Sequence, residues 1–519
     1  MSNTHNKAKL KSFLKWSFIS LLMLIIIYLC ILFYVKSEVR HHSGQNTPVV
    51  DTSELNILSG RLAIKNISVL SKDSQSMITN QTVILKDRNI EYVGDSLIIP
   101  PEYQIIDGTG KYLIPGLIDT HAHPYESKND LLLHLVNGVT HIASMNSKNG
   151  LYLQWEKEIE DGTMLSPKMY IAAGGLSTKK GMWPKVEALF GGNSGCNTPE
   201  QAREYVRKYK KQGYDAIKSY NLDKDVYFAL NDEAKKQNIP VVGHLIPDIT
   251  LEEFYASGQS QLAHVEEITK AIQKEFLSKS KKYYDSIDGY LSYMRKNADQ
   301  VAIKLKEKNV VVSSTVWIIE SIPQQDFDLP NFLKTIELEY ENSGILEGST
   351  YKPGWFPGSN RYEDPSNTDP KSKKLSEQFW NIYIEAIHIM TRALVRHGVV
   401  LTAGTDSIGW GAIPGFSLHD EFESLHNVGL SNAQILHAAT LAPTEWMGTN
   451  AGKIEVGRAA DFVILDKSPL EKISNTRSIN AVITQGKYLN RNQLDIILKN
   501  IKDANNKNRK VSIDAYIID

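Results

Sequence analysis

The sequence has very little cysteine and almost no surplus of charge. Its 519 residues include two cysteines, Cys30 in an apolar run and Cys196 in a loop rich in glycine, asparagine and serine. Cysteines so placed do not indicate an intradomain disulfide, and a hydrophobic content of 42% is enough for a large core. The formal net charge of -1 gives no indication of a nucleic-acid partner or of a polybasic membrane-binding patch.

One long apolar run stands near the N-terminus. The segment from Trp16 to Val35 has 20 residues and no charge. A helix rises about 1.5 Å per residue, so this run spans roughly 30 Å, the hydrocarbon thickness of a bilayer. Lysines precede the run at positions 7, 9, 11 and 15. Because positive charges stay on the cytoplasmic side, we expect the N-terminus inside and the rest of the chain outside the cytoplasm. If the source is a Gram-negative bacterium, this compartment is the periplasm.

A cleaved signal peptide is the alternative to a membrane anchor. It needs a shorter apolar region and a small-x-small cleavage site, which the sequence from Phe33 to Glu38 does not contain. A lipoprotein cleavage before Cys30 would need a small residue at position 29, which is leucine. We therefore expect a cytoplasmic segment over 1–15, an uncleaved transmembrane helix over 16–35 and a polar linker over 36–52, in which His41 and His42 are solvated.

The remaining chain predicts two domains of mixed α/β class. Short β-type runs occur over 53–114 and again over 451–519, so both chain ends are expected to build one β-sandwich. The middle, 115–450, alternates short apolar runs with helical patterns, which predicts a (β/α)₈ TIM barrel with an insertion over 321–374. The expected barrel strands are Gly116–Asp119, Thr140–Ala143, Met169–Ala172, Ala216–Ile217, Val241–Gly243, Gln261–Ala263, Val310–Ser313 and Val400–Thr402.

Polar side chains follow the predicted barrel strands. His121 and His123 end the first strand, and residues i and i+2 of a strand point to the same face, so both imidazoles can bind one ion. Four further strands end in the same way, in Lys218, His244, His264 and Asp406. A single one of these residues has a structural role as readily as a functional one. In a barrel, however, catalytic groups lie at the carboxyl ends of the strands, and together the six residues predict a metal site there.

These motifs resemble the amidohydrolase superfamily, and most of all its imidazolonepropionase-like and prolidase-like branch. The resemblance rests on the sequence from Pro115 to His123, the lysine at 218, Gly243-His244, Ala263-His264 and Ala403-Gly404-Thr405-Asp406-Ser407. The segment from Gly452 to Val463 is similar to the family's return into its sandwich domain. The resemblance thus extends over almost all of the chain after the apolar run.

The resemblance implies a binuclear centre. His121, His123 and Asp406 would bind one divalent ion, and His244 and His264 would bind the second. Lys218 would bridge the two after it reacts with carbon dioxide to form a carbamate. Zinc is the expected metal, with manganese or cobalt as alternatives. A bridging hydroxide would attack the substrate, and Asp406 would carry the proton.

Several reactions suit such a site. The first expectation is an enzyme that hydrolyses a C–N amide bond, in a dipeptide or an N-acyl amino acid. A cyclic amide, an ester or a phosphotriester is the alternative substrate on the same site. A mononuclear deaminase usually has a glutamate three residues after the third histidine, where this chain has Pro247, and would leave Lys218 unexplained. A non-catalytic scaffold is disfavoured because all six ligand positions are filled.

Three more residues are candidate substrate contacts. Tyr220 lies two positions after Lys218, and Glu266 and Glu267 follow His264. Tyr220 could equally have a packing role, and the two glutamates could orient the metal ligands. His419 and Glu421 match a family helix and are expected to be structural. The expected partners are a small-molecule substrate and a lipid bilayer, a homo-oligomer is left open, and no nucleic acid is expected.

Overall fold

A computed structural model describes residues 2–95, 97–147, 150–181, 195–279, 287–349, 352–353, 365–407 and 411–517. It contains a long N-terminal helix, a β-rich domain built from both chain ends and a barrel between them. The β-rich domain and the barrel together confirm the predicted fold class.

The N-terminal helix, α1 (Ser2–His42), is longer than predicted. Within the described part of the chain, its segment 11–42 is long and apolar enough to cross a membrane, and its apolar side chains are exposed. The predicted membrane span, 16–35, lies within α1, which continues for seven more residues, so the first part of the predicted linker is helical. The prediction of a solvated His41 is wrong: its side chain is buried, and its Nε2 lies 3.1 Å from Oε2 of Glu347.

One sheet joins the two ends of the chain. Its strands follow the order β18-β17-β16-β5-β1-β2-β3, and β4 pairs with β1. In β16, Val463 lies opposite Ile114 of β5, so the C-terminal strands are added directly to the N-terminal ones. Apolar residues of both ends form one buried cluster, which includes Leu62, Val83 and Phe462. The strands are β1 (Arg61–Leu70), β2 (Met77–Lys86), β3 (Asn89–Gly94), β4 (Gln104–Asp107), β5 (Tyr112–Pro115), β16 (Phe462–Leu465), β17 (Ile479–Thr484) and β18 (Lys487–Asn490).

Eight parallel strands form the barrel, in the order β15-β12-β11-β10-β9-β8-β7-β6. Each of the eight predicted strands is present, with shifts of a few residues at the ends. Most strand residues are buried, as expected for a sheet with helices outside and side chains filling the centre. The strands are β6 (Leu117–Ala122), β7 (Val139–Ser147), β8 (Lys168–Ser177), β9 (Ala216–Asn221), β10 (Val241–Gly243), β11 (Gln261–Ala263), β12 (Val311–Ser313) and β15 (Leu401–Thr402).

Helices connect the barrel strands and are capped by the expected residue types. In the segment before β9, for example, Thr198 accepts a hydrogen bond from the Gln201 amide, Pro199 opens the helix and Gly213 ends it with a φ of 90°. The helices are α2 (Lys128–Val136), α3 (Leu151–Glu160), α4 (Pro199–Gln212), α5 (Lys224–Gln237), α6 (Leu251–Ser257), α7 (Val265–Lys279), α8 (Ile287–Glu307), α9 (Val316–Leu333), α10 (Ser343–Glu347), α11 (Pro370–Arg396), α12 (Phe416–Val428), α13 (Asn432–Ala439), α14 (Leu441–Met447) and α15 (Arg491–Asn508).

The predicted insertion over 321–374 lies between β12 and β15. It contains most of α9, a 3₁₀ turn over Leu338–Tyr340, α10, the short strands β13 (Gly348–Ser349) and β14 (Lys352–Pro353), and the start of α11. Residues 350–351 and 354–364 lie outside the described residues. Because the insertion follows β12, it is attached to the face of the barrel where the strands have their carboxyl ends, hereafter the mouth.

Hydrogen bonds between β6 and the chain after β15 close the barrel at the mouth. The amide of Asp406 donates to the carbonyl of His121 at 2.8 Å, and the amide of His123 donates to the carbonyl of Ser407 at 3.0 Å. The closure therefore places two residues at the end of the first strand beside two that are nearly 300 positions later in the chain.

Candidate metal centre

The six predicted ligands meet at the mouth. Oδ1 of Asp406 lies 3.3 Å from Nε2 of His121 and 3.1 Å from Nε2 of His123. The ring centroid of His264 lies 4.6 Å from that of His121 and 4.9 Å from that of His244. Potential ligand atoms of His121, His264 and Asp406 all lie within 4.8 Å of one another, which is close enough for one ion to bind all three.

Lys218 lies within this cluster. Its side chain is buried, and its Nζ is 3.2 Å from Nε2 of His121. Burial lowers the pKa of Lys218 to about 8, so a neutral amine is accessible near physiological pH. The lysine fits only because residue 243 is glycine: a Cβ there would lie 2.8 Å from Cδ of Lys218 and 2.1 Å from the carbonyl oxygen of Ser219. Gly243 also has a φ of 121°, a backbone conformation that residues with a Cβ atom rarely adopt.

Three of the four histidines of the cluster are held neutral in this environment. Burial, followed by the nearby charge of Lys218, places the pKa of both His121 and His244 well below the usual value. Burial lowers the pKa of His264 to about 4. Neutral imidazole is the form that binds a metal ion, so the donor set of these residues fits a divalent ion.

His264 is oriented by contacts outside the cluster. Its Nδ1 lies 2.7 Å from Oγ1 of Thr315, which leaves Nε2 for the centre of the site. Glu421 holds the turn that carries Thr315, because its carboxylate accepts hydrogen bonds from the amides of Val316 and Trp317. Glu421 therefore supports the site from outside, in agreement with the structural role expected for it.

Asp119 is a site residue that the sequence analysis missed. It is fully buried, and its Oδ1 accepts hydrogen bonds from the amides of His121 and Thr405, at 3.0 and 3.1 Å. Its Oδ2 accepts a hydrogen bond from the hydroxyl of Thr405 at 2.6 Å. Asp119 thereby fixes both sides of the barrel closure. Its position, two residues before His121 on the same face of the strand, was the signal that could have indicated it.

Asp406 is the one carboxylate among the six residues. Burial raises the pKa of Asp406, but its electrostatic interaction with His264, its hydrogen bond with His123 and the charge of Lys218 together outweigh burial, so the pKa of Asp406 is lowered. Asp406 is therefore ionised at neutral pH. An ionised carboxylate beside neutral imidazoles can bind a metal ion or accept a proton.

The three candidate substrate contacts lie at the rim of the cluster. The ring of Tyr220 is half exposed and packs at 4.4 Å from the His244 ring. Oε1 of Glu267 lies 3.8 Å from Nδ1 of His244, and Lys270 forms ion pairs with Glu266 and Glu267 at 3.0 and 3.2 Å. The hydroxyl of Tyr383 donates to Glu266 at 2.6 Å. Glu266 and Glu267 are thus tied to a lysine and a tyrosine that sequence reasoning did not connect with the site.

The profile of the Amidohydrolase family matches residues 112–489, well over half of the chain. The chain belongs to the amidohydrolase family. This confirms the superfamily resemblance and, at the level of the family, the predicted class of a metal-dependent hydrolase that acts on carbon–nitrogen bonds.

Known proteins and structures agree with this placement. The chain is 24% identical over 454 residues to a 5'-deoxyadenosine deaminase of Methanosphaera stadtmanae, which covers 81% of this chain and 93% of the relative. Its fold is similar to that of bottromycin amidohydrolase, with a TM-score of 0.66, 19% identity, and coverage of 90% of this chain and 96% of the other. A Xaa-Pro dipeptidase with methionine in its active site gives a TM-score of 0.58 at 16% identity, over 83% of this chain and all of the other.

Proposed function

We propose that this chain is a membrane-anchored amidohydrolase that uses two divalent ions to hydrolyse an amide C–N bond in a dipeptide or an N-acyl amino acid. The observation that carries the proposal is the placement of Lys218. Its amine is buried among the imidazoles and 3.2 Å from His121, where an ammonium ion would repel any cation. A carbamate on the same nitrogen would reverse that charge and offer two oxygens to a metal pair.

The ligand roles follow from the positions of the side chains. His121, His123 and Asp406 would bind one ion, His244 and His264 the other, and carbamylated Lys218 both. Six ligands are more than one tetrahedral ion uses, which supports two ions rather than one. When bound, the ions would supply hydroxide near neutral pH and polarise the scissile carbonyl.

The protein's own groups would handle the proton and the substrate. Asp406 is ionised and can accept the proton of the attacking water, then transfer it to the leaving nitrogen. Tyr220 is half exposed beside His244 and can contact the substrate. Glu266 and Glu267, linked through Lys270, are placed to contact its polar end.

Deamination is the second candidate, because the Methanosphaera stadtmanae relative has that activity by name. The geometry favours amide hydrolysis. A mononuclear deaminase has no use for a lysine in the centre of its ligands, and Pro247 stands where the expected glutamate of such a site would lie. Cyclic amides, esters and phosphotriesters stay as alternative substrates for the same two-ion centre.

Metal content tests the proposal. Protein produced with ample metal and bicarbonate is expected to hold about two ions per chain, and Lys218→Ala is expected to lose the metal pair and the activity toward dipeptides and N-acyl amino acids. Short carboxylic acids should partly restore both, since a free carboxylate can replace the bridging oxygens.

Lys270→Ala is the matched control, because this lysine lies beside the site without reaching the imidazole cluster; it should keep both ions. One ion per chain at full activity, or full activity of Lys218→Ala without added acid, would contradict the two-ion centre. Release of ammonia from an amino-purine nucleoside, with no amide hydrolysis, would favour the deaminase.

A further inference from the structure

The end of the N-terminal helix contacts the mouth of the barrel. The segment 124–127 directly follows β6 and its metal-binding histidines, and there the amide of Glu126 donates to the carbonyl of Ser43 at 3.1 Å. The Gln45 side chain also donates to the carboxylate of Glu126. The chain that leaves α1 is therefore attached within three residues of His123.

The insertion after β12 holds the same helix end from a second side. His41 and Glu347 form a buried pair, 3.1 Å apart, across more than 300 positions of sequence. The backbone at Gly344 lies so close that a Cβ there would be 1.7 Å from the carbonyl oxygen of His41. Two segments at the mouth, 124–127 and the insertion, thus contact the end of α1. These contacts make α1 part of the domain rather than a flexible tether.

The helix is continuous from the apolar run to this contact. Lys36 to His42 adds seven helical residues, or about 10 Å, beyond the charge-free segment. The headgroup layer of a bilayer is about 5–7 Å thick on each side. If Trp16–Val35 crosses the membrane, these two segments at the mouth lie at the membrane surface.

An apolar stripe leads from the site to the outside. Helix α11 ends at Arg396, just before the amino end of β15, so its first turns lie on the mouth side. Leu375, Phe379 and Tyr383 are spaced by four residues and share one side of this helix. Leu375 is exposed, the rings of Phe379 and Tyr383 stack at 5.3 Å, and the Tyr383 hydroxyl reaches Glu266, two residues after His264.

We propose that the metal centre opens toward the bilayer surface, and that its substrate is an amphiphile held there: an amide that carries an alkyl or acyl chain. The polar amide would enter the metal centre while the chain lies along Leu375 and Phe379. The substrate class rests on the proposed amide hydrolysis, whereas the orientation of the mouth rests on α1 alone.

Energy transfer tests the orientation without any reference to activity. Cys30→Ser removes the exposed cysteine, and Cys196 is buried. A donor dye is then attached to the cysteine that either Asp248→Cys or Lys211→Cys introduces. Asp248 is exposed in the mouth loop after β10, and Lys211 is exposed in the last turn of α4, at the opposite end of the barrel. The full-length chain in lipid nanodiscs with acceptor dyes on the headgroups should transfer more energy from position 248. Equal transfer, or more from position 211, would overturn the proposed orientation.

A matched pair of amides tests the substrate class. An N-acetyl and an N-dodecanoyl derivative of the same amino acid are given to the metal-loaded, full-length chain in nanodiscs. The long-chain amide is expected to have a kcat/KM at least about tenfold higher, since its chain gains apolar contacts and is concentrated in the bilayer. Equal values would overturn the amphiphile and leave amide hydrolysis intact. Hydrolysis of neither amide would count against the proposed function, and the energy transfer would still decide the orientation.

Two aliphatic variants locate the contact of the alkyl chain. Leu375→Ser is expected to lower the ratio of long-chain to short-chain kcat/KM by about fivefold. Ile303→Ser is the control, because Ile303 has a similar exposure, 41% against 45%, but lies near the end of α8 at the opposite side of the barrel. An unchanged ratio in Leu375→Ser, or the same decrease in Ile303→Ser, would overturn the role of the stripe.

Discussion

At the scale of single residues, backbone conformation is unusual where the candidate ligands are. His264 and Asp406 have φ values of 70° and 55°, in the left-handed region that non-glycine residues seldom adopt. Each such backbone conformation raises the free energy of the folded state by about 1–3 kcal/mol, and it persists where the surrounding contacts impose it. The contact with Thr315 holds the side chain of His264. Asp406 is held by the hydrogen bond that its own amide donates to the carbonyl of His121. The strands therefore turn sharply at these residues, which directs both side chains into the cluster.

Asp406→Asn should separate catalysis from binding. Asparagine keeps the shape and one ligand oxygen but cannot accept a proton at neutral pH. We expect kcat to fall by about a hundredfold or more while KM changes little. Steady-state kinetics of the metal-loaded variant measure this, with Asp248→Asn in the exposed mouth loop as the control. A kcat equal to that of the wild type would exclude Asp406 as the base.

At the scale of elements, helix α2 shows how burial holds a histidine in its neutral form. All but the first of its nine residues are buried, and His134 is fully enclosed. Neither of its ring nitrogens has a hydrogen-bond partner among the described residues. Burial lowers the pKa of His134 to about 3, so the folded protein holds it as a neutral ring.

Replacing His134 should change the dependence of stability on pH. In the unfolded chain this histidine takes up a proton below about pH 6.5, and in the folded chain it does not until about pH 3. Its contribution to stability is therefore complete above pH 6.5 and decreases as the pH falls, by up to about 1.4 kcal/mol per pH unit. In His134→Leu the unfolding free energy should fall less steeply between pH 7 and pH 5.

Urea titrations at several pH values, followed by tryptophan fluorescence, provide this measurement. His426→Leu is the matched control, because His426 lies exposed on α12. This variant should keep the wild-type slope of the unfolding free energy against pH. A slope in His134→Leu as steep as that of the wild type would show that His134 is not held neutral.

At the scale of the whole molecule, the helix, the barrel and the sandwich form one connected body. The C-terminal helix α15 contributes to this: the side chain of Asn508 donates to Ser343 at 2.8 Å and to Thr47 at 3.2 Å. The C-terminal part of the chain therefore packs against the segment that follows α1 and against the insertion. Movement of α1 relative to the candidate metal centre would break contacts from three distant parts of the sequence.

The topology of the chain can be tested in cells. The four lysines before Trp16 predict a cytoplasmic N-terminus and a catalytic domain outside the cytoplasm. When the chain is produced in a Gram-negative bacterium, protease added to spheroplasts should digest the domain, and before digestion the full-length chain should sediment with the membranes. Protection of the domain would reverse the topology, and a soluble product that begins near Lys36 would identify a cleaved signal.

The sequence by itself determined the features that depend on local order. A charge-free run of 20 residues has the length of a membrane helix whatever follows it. Alternation along a strand is fixed by the backbone, so His121 and His123 had to share a face, and the ends of apolar runs indicated Lys218, His244, His264 and Asp406. Parallel strands bring these ends to one side of the barrel.

The tertiary structure alone decided the contacts that depend on closure of the barrel and on packing of the insertion. Asp119 acquires its role only when Thr405 lies beside it, 286 positions later in the chain. His41 is buried because Glu347 and the backbone of Gly344 pack against it, and α1 extends past Val35 to reach this contact. No local pattern encodes such pairs, since each partner is an ordinary polar residue in its own segment. These long-range contacts decide which side of the barrel lies next to the end of α1, because the sequence indicates that a helix is present but not where its end is held.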